Sequence, residues 1–130
     1  MTDPISDYLT RIRNATRASQ KYVDIPASRV KAEITRILLD AGFIAGAKFI
    51  EDNKQGMLRI YLRYTKGNES VISGLQRVSK GSRRVYAPRK RLPRVLGGYG
   101  MAIISTSQGI LPDGECRRRG IGGEVLCEVW

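Results

Sequence analysis

An α+β fold in two small halves is predicted by three features of the sequence. Apolar residues recur with a helical period through the N-terminal region, alternate strictly with polar ones near the middle, and then fall into short runs punctuated by glycine. The first half therefore reads as helices packed on a small β-sheet, and the second as mainly antiparallel β with short helices. An apolar fraction of 42% in 130 residues is enough for a packed core.

In "DPISDYLTRIRNATRAS", Ile5, Tyr8, Leu9 and Ile12 fall at i, i+3, i+4 and i+7, with Asp3 placed to cap the helix and Pro4 suited to its first turn. Arg11, Arg13 and Arg17 lie on the other face. After the strand-like "KYVDIP", the stretch "SRVKAEITRILLDAG" repeats the pattern through Val30, Ile34, Ile37, Leu38 and Ala41, between an N-capping Ser28 and a stop at Gly42. "AKFIE" and "MLRIYLRY" read as strands joined by "DNKQG", whose Asn and Gly suit a hairpin. In the second of them Leu58, Ile60, Leu62 and Tyr64 alternate with Arg59, Tyr61 and Arg63, so one face is dry.

The polar "TKGNES", residues 65–70, is the expected linker between an N-terminal α/β domain, 1–64, and a C-terminal mainly-β domain, 71–130. Strands are expected at "SVISGLQRVS", "RRVYAP", "GMAIIS" and "EVLCEVW". Helical turns are expected at "RLPRVL" and from Asp113 to Arg119, the latter ended by Gly120.

Enzyme chemistry finds little support. Histidine is absent, which removes the commonest general base and the usual activation of a Ser or Cys nucleophile. "GYGMAI" and "GIGGEV" begin like dinucleotide fingerprints but carry Ile103 and Val125 at the third glycine position, and no phosphate-binding G-x-x-x-x-G-K-[ST] occurs. Glu124 and Glu128 sit at i, i+4 in a strand-like segment, which does not make a carboxylate dyad. Cys116 and Cys127 are the only cysteines and read as structural thiols; no metal site or cofactor is expected. The N-terminus lacks the basic-then-apolar order of a secretory signal and no long uncharged apolar window appears, so a cytoplasmic location and no membrane partner are expected.

Charge points instead to a polyanion. Lys and Arg number 23 against 12 Asp and Glu, a formal +11, which favours nucleic acid. The strongest feature is "RVSKGSRRVYAPRKRLPR", residues 77–94, with Arg83, Arg84, Arg89 and Arg91 among its cations and no acidic residue. Val78, Val85, Tyr86, Leu92 and Val95 interleave with the charges, as on an ordered surface that holds cations at fixed spacing for phosphates. Tyr86 offers a ring for stacking, though a strand Tyr is about as often half-buried core.

Two further stretches fit the same partner. In "IISTSQG", Ser105, Thr106 and Ser107 are short groups that both donate and accept, suited to a base edge or a ribose 2′-OH. A turn whose hydroxyls satisfy their own backbone explains them equally well. In "RRRGIGGE", Arg117, Arg118 and Arg119 adjoin Gly120, Gly122 and Gly123, and the missing side chains would let a sugar-phosphate backbone approach the main chain. A helix stop followed by a turn accounts for Gly120 but less well for the adjacent pair.

Taken together, "DPISDYLTRIRNA", "IPASRVK", "GFI", "EDNKQGMLRIYLRY", "RVY", "LPRVL", "GMAIISTSQGI" and "RRRGIGGEVLCEVW" resemble the bacterial family of small-subunit ribosomal protein eight, in order from Thr2 to Trp130. The resemblance implies a two-domain α+β protein without enzymatic activity. It would be a primary binder of 16S ribosomal RNA that docks on the central domain and helps assemble the platform of the 30S subunit, with ribosomal proteins five and twelve as neighbours. It implies an RNA-facing loop at Ser105, Thr106 and Ser107, supported by Tyr86 and by the corner Gly122-Gly123-Glu124. The alternative is a free-standing regulator that represses its own operon's messenger RNA. The chain departs from the family pattern at Pro112, Gly114 and Cys116, which predicts a weaker or shifted short helix, and at residues 87–91, which are unusually basic.

Overall fold

The structure, a computed structural model, describes residues 3–130. These form two compact units, Asp7–Ser73 and Gly74–Trp130, with residues 3–6 counted in the latter. Among the described residues no helix is long and apolar enough to cross a membrane.

The first unit packs two helices on a sheet. Helix α1 (Pro4–Arg17) begins where the Asp3 carboxylate accepts from the backbone N–H groups of Ile5 and Ser6, satisfying donors the helix cannot pair itself. It buries Tyr8, Leu9, Ile12 and Ala15. Strand β1 (Tyr22–Pro26) leads to α2 (Arg29–Asp40), which is capped by the Ser28 hydroxyl accepting from the Lys31 N–H. Gly42 ends α2 with φ of +82°, while Phe43 N–H reaches the Leu38 carbonyl and Gly42 N–H the Leu39 carbonyl, a left-handed terminus that favours glycine. Helix α2 buries Ile34, Ile37 and Leu38. Val30 and Ala41, expected to join them, are exposed, because the apolar stripe is narrower than the period alone implies.

Strands β2 (Ile44–Ile50) and β3 (Met57–Leu62) form the expected hairpin, and the sheet order is β1-β3-β2. The Asp52 carboxylate accepts from Lys54 and Gly56 N–H groups in the connecting turn. Leu58, Ile60 and Leu62 are buried, as their alternation predicts. Residues 65–70, read from sequence as a linker, form a turn closed by pairing of Tyr64 with Ser70 and lie inside the first unit.

The second unit is an antiparallel sheet of β4 (Leu75–Arg77), β5 (Tyr86–Ala87), β6 (Met101–Thr106), β7 (Gly109–Pro112) and β8 (Gly123–Val129). Its order is β4-β8-β6-β7, with β5 also paired to β8. Only Leu75–Arg77 of the expected first strand is regular. Beyond it Val78 and Ser79 still donate to β8 carbonyls, residues 80–83 turn back on themselves, and β5 resumes beside β8. Strand β7, unexpected from sequence, completes a hairpin with β6.

Helix α3 (Asp113–Arg119) stands where composition placed it, ended by Gly120 at φ of +69°. The helix forms over the span read from sequence although Pro112, Gly114 and Cys116 depart from the family pattern. Pro112 precedes the helix, where its missing N–H costs nothing. Gly114 faces open space and Cys116 is buried in the core with Ala102, Ile104 and Val125. Buried Asp113 accepts from the Ala102 N–H and from Arg117, which also donates to the carbonyls of Leu92 and Pro93. Both cysteines are free and buried, and burial pushes the Cys127 thiol up to about 12, so neither is a ready nucleophile.

Candidate nucleic-acid interface

Strand register assembles the core of the site. Tyr86 on β5 pairs with Glu124 on β8, and Glu124 with Ser105 on β6, so three of the residues singled out from sequence form one row across the sheet. Residues paired across neighbouring strands share a face. Tyr86 is 69% exposed, which gives it the free ring that the stacking reading needs rather than a core position.

The hydroxyl triplet divides by role. Thr106 donates to the Gly109 carbonyl at 2.7 Å and accepts from the Gln108 N–H at 3.0 Å, so it holds the β6–β7 turn together. Gly109 supplies the positive φ, +105°, that the turn requires. The hydroxyls of Ser105 and Ser107 make no hydrogen bond to the protein among the described residues. The turn reading thus describes Thr106, while the hydroxyls of Ser105 and Ser107 are left available to a partner.

Gly122 and Gly123 have a packing role within the protein. A β-carbon at Gly122 would collide with the Ala87 carbonyl, and one at Gly123 with the Ser105 carbonyl. On the side where a side chain would stand, protein backbone fills the space beside them. These glycines let the start of β8 close against the segment leading to Arg89 and against Ser105 on β6.

Glu124 sits between them. Its Oε2 accepts from the Ser79 hydroxyl at 2.5 Å and from Arg84 at 2.9 Å. Burial pushes the carboxyl up, but these hydrogen bonds outweigh it and leave the group below its usual value. Its Oε1 has no protein partner among the described residues and remains an acceptor. Ser79, fully buried, also accepts from the Val85 N–H and so closes the base of the 80–84 excursion. Sequence reasoning missed this role, because a Ser within a basic run carries no signal of burial.

The cations separate in the same way. Arg83, Arg89 and Arg91 are exposed, Arg83 at the 80–83 turn and the other two on a single 3₁₀ turn, Arg89–Arg91. Arg84 is half exposed and paired with Glu124. A cleft of about 330 Å³ opens between Tyr86, Arg91, Pro88 and Glu128. By contrast Arg117 is tied to Asp113, and Arg118 and Arg119 to Glu115. Within "RRRGIGGE", Arg117 ties α3 to the core, whereas Arg118 and Arg119 share one carboxylate and remain largely exposed.

An exposed ring, a free hydroxyl and an open carboxylate oxygen thus share one sheet row, and a second hydroxyl and unpaired arginines lie on the turns of the same unit. The family model described as "Ribosomal protein S8" matches residues 3–130. A small ribosomal subunit protein uS8 of Thermodesulfovibrio yellowstonii is 57% identical over 130 residues, covering 100% of this chain and 99% of the relative. Its counterpart from Moorella thermoacetica is 57% identical with 100% of both chains covered, and that of Brevibacillus brevis 56% identical with 98% of the relative covered. A match that runs through both units and the whole β5–β8 site shows that this chain belongs to the ribosomal protein S8 family.

Proposed function

We propose that this protein is a primary binder of 16S ribosomal RNA that docks on the central domain and helps assemble the platform of the 30S subunit. As a ribosomal protein it is a structural constituent and not an enzyme. The observation that carries the RNA-docking reading is the row Tyr86–Glu124–Ser105, with Ser105 and Ser107 hydroxyls that have no protein partner among the described residues. Short hydroxyls and a carboxylate oxygen suit base edges and 2′-OH groups where an RNA helix is distorted, and Arg83, Arg89 and Arg91 beside them suit its phosphates. Gly122 and Gly123 serve by positioning the two loops. Ribosomal proteins five and twelve as neighbours, and an operon messenger that folds like the ribosomal site, belong to the same reading.

The test is binding of the purified protein to a central-domain fragment of 16S RNA and to an unrelated duplex. Replacing Ser105 and Ser107 with Ala leaves charge and turn intact. With about 0.5–1.5 kcal/mol per hydroxyl, the double variant is expected to bind the fragment roughly five- to 150-fold more weakly. The unrelated duplex, held through its phosphates, should be unaffected. Equal losses on both RNAs, or none on either, would overturn the assignment. Co-sedimentation with salt-washed small subunits separates the ribosomal role from that of a free-standing regulator.

A further inference from the structure

The outer face of the β1-β3-β2 sheet, opposite buried Ile25, Leu58 and Ile60, carries an ordered set of side chains that the β5–β8 site does not use. Register places Tyr22, Tyr61 and Gly46 in one row and Asp24, Arg59 and Lys48 in the next. The tyrosine rings lie 5.9 Å apart, tilted by 58°. The Arg59 guanidinium stands 4.2 Å over the Tyr22 ring. Asp24 holds it there, accepting from Nε at 2.9 Å and from Nη2 at 3.1 Å. This fork fixes the guanidinium plane and occupies the only acidic group of the two rows.

Arg59 also bonds the half-buried Tyr61 side chain, so both rings are held in place by the same guanidinium. Tyr22 is 41% exposed, and Lys48 is exposed with no partner among the described residues. Gly46 contributes no side chain, and the Tyr61 ring lies beside the position a β-carbon would take there, so the face stays low next to the ring. The result is a pair of aromatic rings, one already stacked with a cation, beside a free ammonium.

We propose that this face is a stacking platform for unpaired RNA bases, with Tyr22 and Tyr61 taking the base faces and Lys48 a phosphate. Base stacking on aromatic rings is tolerant of sequence and needs only rings and neighbouring cations. Charge favours this occupant: the face carries Arg59 and Lys48 against Asp24, and the Asp7–Ser73 unit around it has twelve Lys and Arg against seven Asp and Glu, a balance of +5. A protein partner fits less well. Interface centres are depleted of charge, whereas here the charged row Asp24–Arg59–Lys48 crosses the middle of the face, between the tyrosine row and the row Pro26–Met57–Ile50. The platform is independent of the reading given to the second unit.

The probe is an unstructured ten-nucleotide oligoadenylate carrying 2-aminopurine, titrated with the full-length protein. Stacking should quench the fluorophore. Changing both tyrosines, Tyr22→Leu with Tyr61→Leu, should weaken binding by about five- to 150-fold for each base no longer stacked. Lys48→Ala should make the salt dependence shallower by about 0.7 in log-log slope. Binding of the same variants to the central-domain fragment through Ser105 and Ser107 is read in parallel, so failure here is distinct from failure there. Unchanged quenching in the tyrosine variant, or no quenching by the unmodified protein, overturns the proposal and leaves the face to a protein partner. Because the double tyrosine change can disturb the sheet, photo-crosslinking of a 4-thiouridine oligonucleotide to the unmodified protein gives an independent reading. Adducts at residues 21–24 or 59–61 support the platform, and adducts confined to Gly74–Trp130 overturn it.

Discussion

The carbonyl oxygen of Ser105 occupies the space that a β-carbon at Gly123 would need. Strand β8 therefore lies against the hydroxyl loop only because residue 123 has no side chain. The obstacle is backbone, which cannot swing aside as the end of a flexible side chain would.

Gly123→Ala is accordingly expected to destabilise the protein by about 1–3 kcal/mol, the usual cost of forcing extra volume into a packed site. Gly114→Ala provides the opposite case: that position is helical, exposed and open around the added methyl. There a gain of about 0.5–1 kcal/mol is expected from helix propensity. Denaturant midpoints of the two variants should move in opposite directions.

Within the hydroxyl loop, Thr106 and Ser107 should separate stability from recognition. Thr106→Val removes both hydrogen bonds that close the turn, at a cost of about 0.5–1.5 kcal/mol each at most. Ser107→Ala removes a hydroxyl with no protein partner among the described residues, so stability should stay within about 0.5 kcal/mol. Thermal unfolding of the pair, with RNA binding measured alongside, checks the division.

The α+β class, both long helices and the Leu58–Leu62 strand were legible because one periodicity and one cap or stop coincided in each. At α2, Ser28, the apolar stripe and Gly42 all agree. Short strands were less legible. Only Leu75–Arg77 and Tyr86–Ala87 are regular in the edge that runs along β8, since a two- or three-residue strand is defined by its partner and not by its own pattern. The site was half legible for the same reason. Local chemistry marked Ser105 and Tyr86, and the family resemblance added Glu124, but that they form one row depends on register. Nothing in "RRRGIGGE" tells that its arginines find Asp113 and Glu115, or that its glycines face protein backbone.

The exposed arginines should reveal themselves through salt. Replacing Arg83, Arg89 and Arg91 with Ala is expected to reduce the log-log salt slope of duplex binding by up to about 0.9 for each phosphate that is no longer neutralised. Arg84→Ala should add less, because its guanidinium is already engaged by Glu124. Equal slopes for the triple variant and the unmodified protein would reduce this stretch to a solvated surface.

The first unit's core gives a prediction independent of RNA. Leu62 is buried in the sheet face that also carries Leu58 and Ile60. Leu62→Ala should cost about 2–5 kcal/mol through reduced transfer energy and the cavity left behind. A shift in denaturant midpoint equivalent to less than about 0.5 kcal/mol, the range of surface substitutions, would contradict this burial.

Acid should loosen the second unit through Glu124. Burial opposes its ionisation, but the hydrogen bonds from Ser79 and Arg84 prevail and lower its value beneath the 4.5 of a free glutamate. A carboxyl lowered by folding contributes stability that is fully present above its unfolded value and is lost as pH falls through the folded one. Stability should thus hold at neutral pH and decline below about 4.5. Asp3, raised by burial but lowered further by hydrogen bonds from Ser6 and Arg77, and Glu115, lowered by Arg118 and Arg119, act in the same direction. Glu124→Gln should therefore flatten the acid limb without abolishing it. Its deficit relative to the unmodified protein should be largest at pH 7 and shrink toward pH 3. Denaturant midpoints measured across that range test the sign directly: a deficit that grows on acidification would mean that Ser79 and Arg84 do not stabilise the ionised carboxylate.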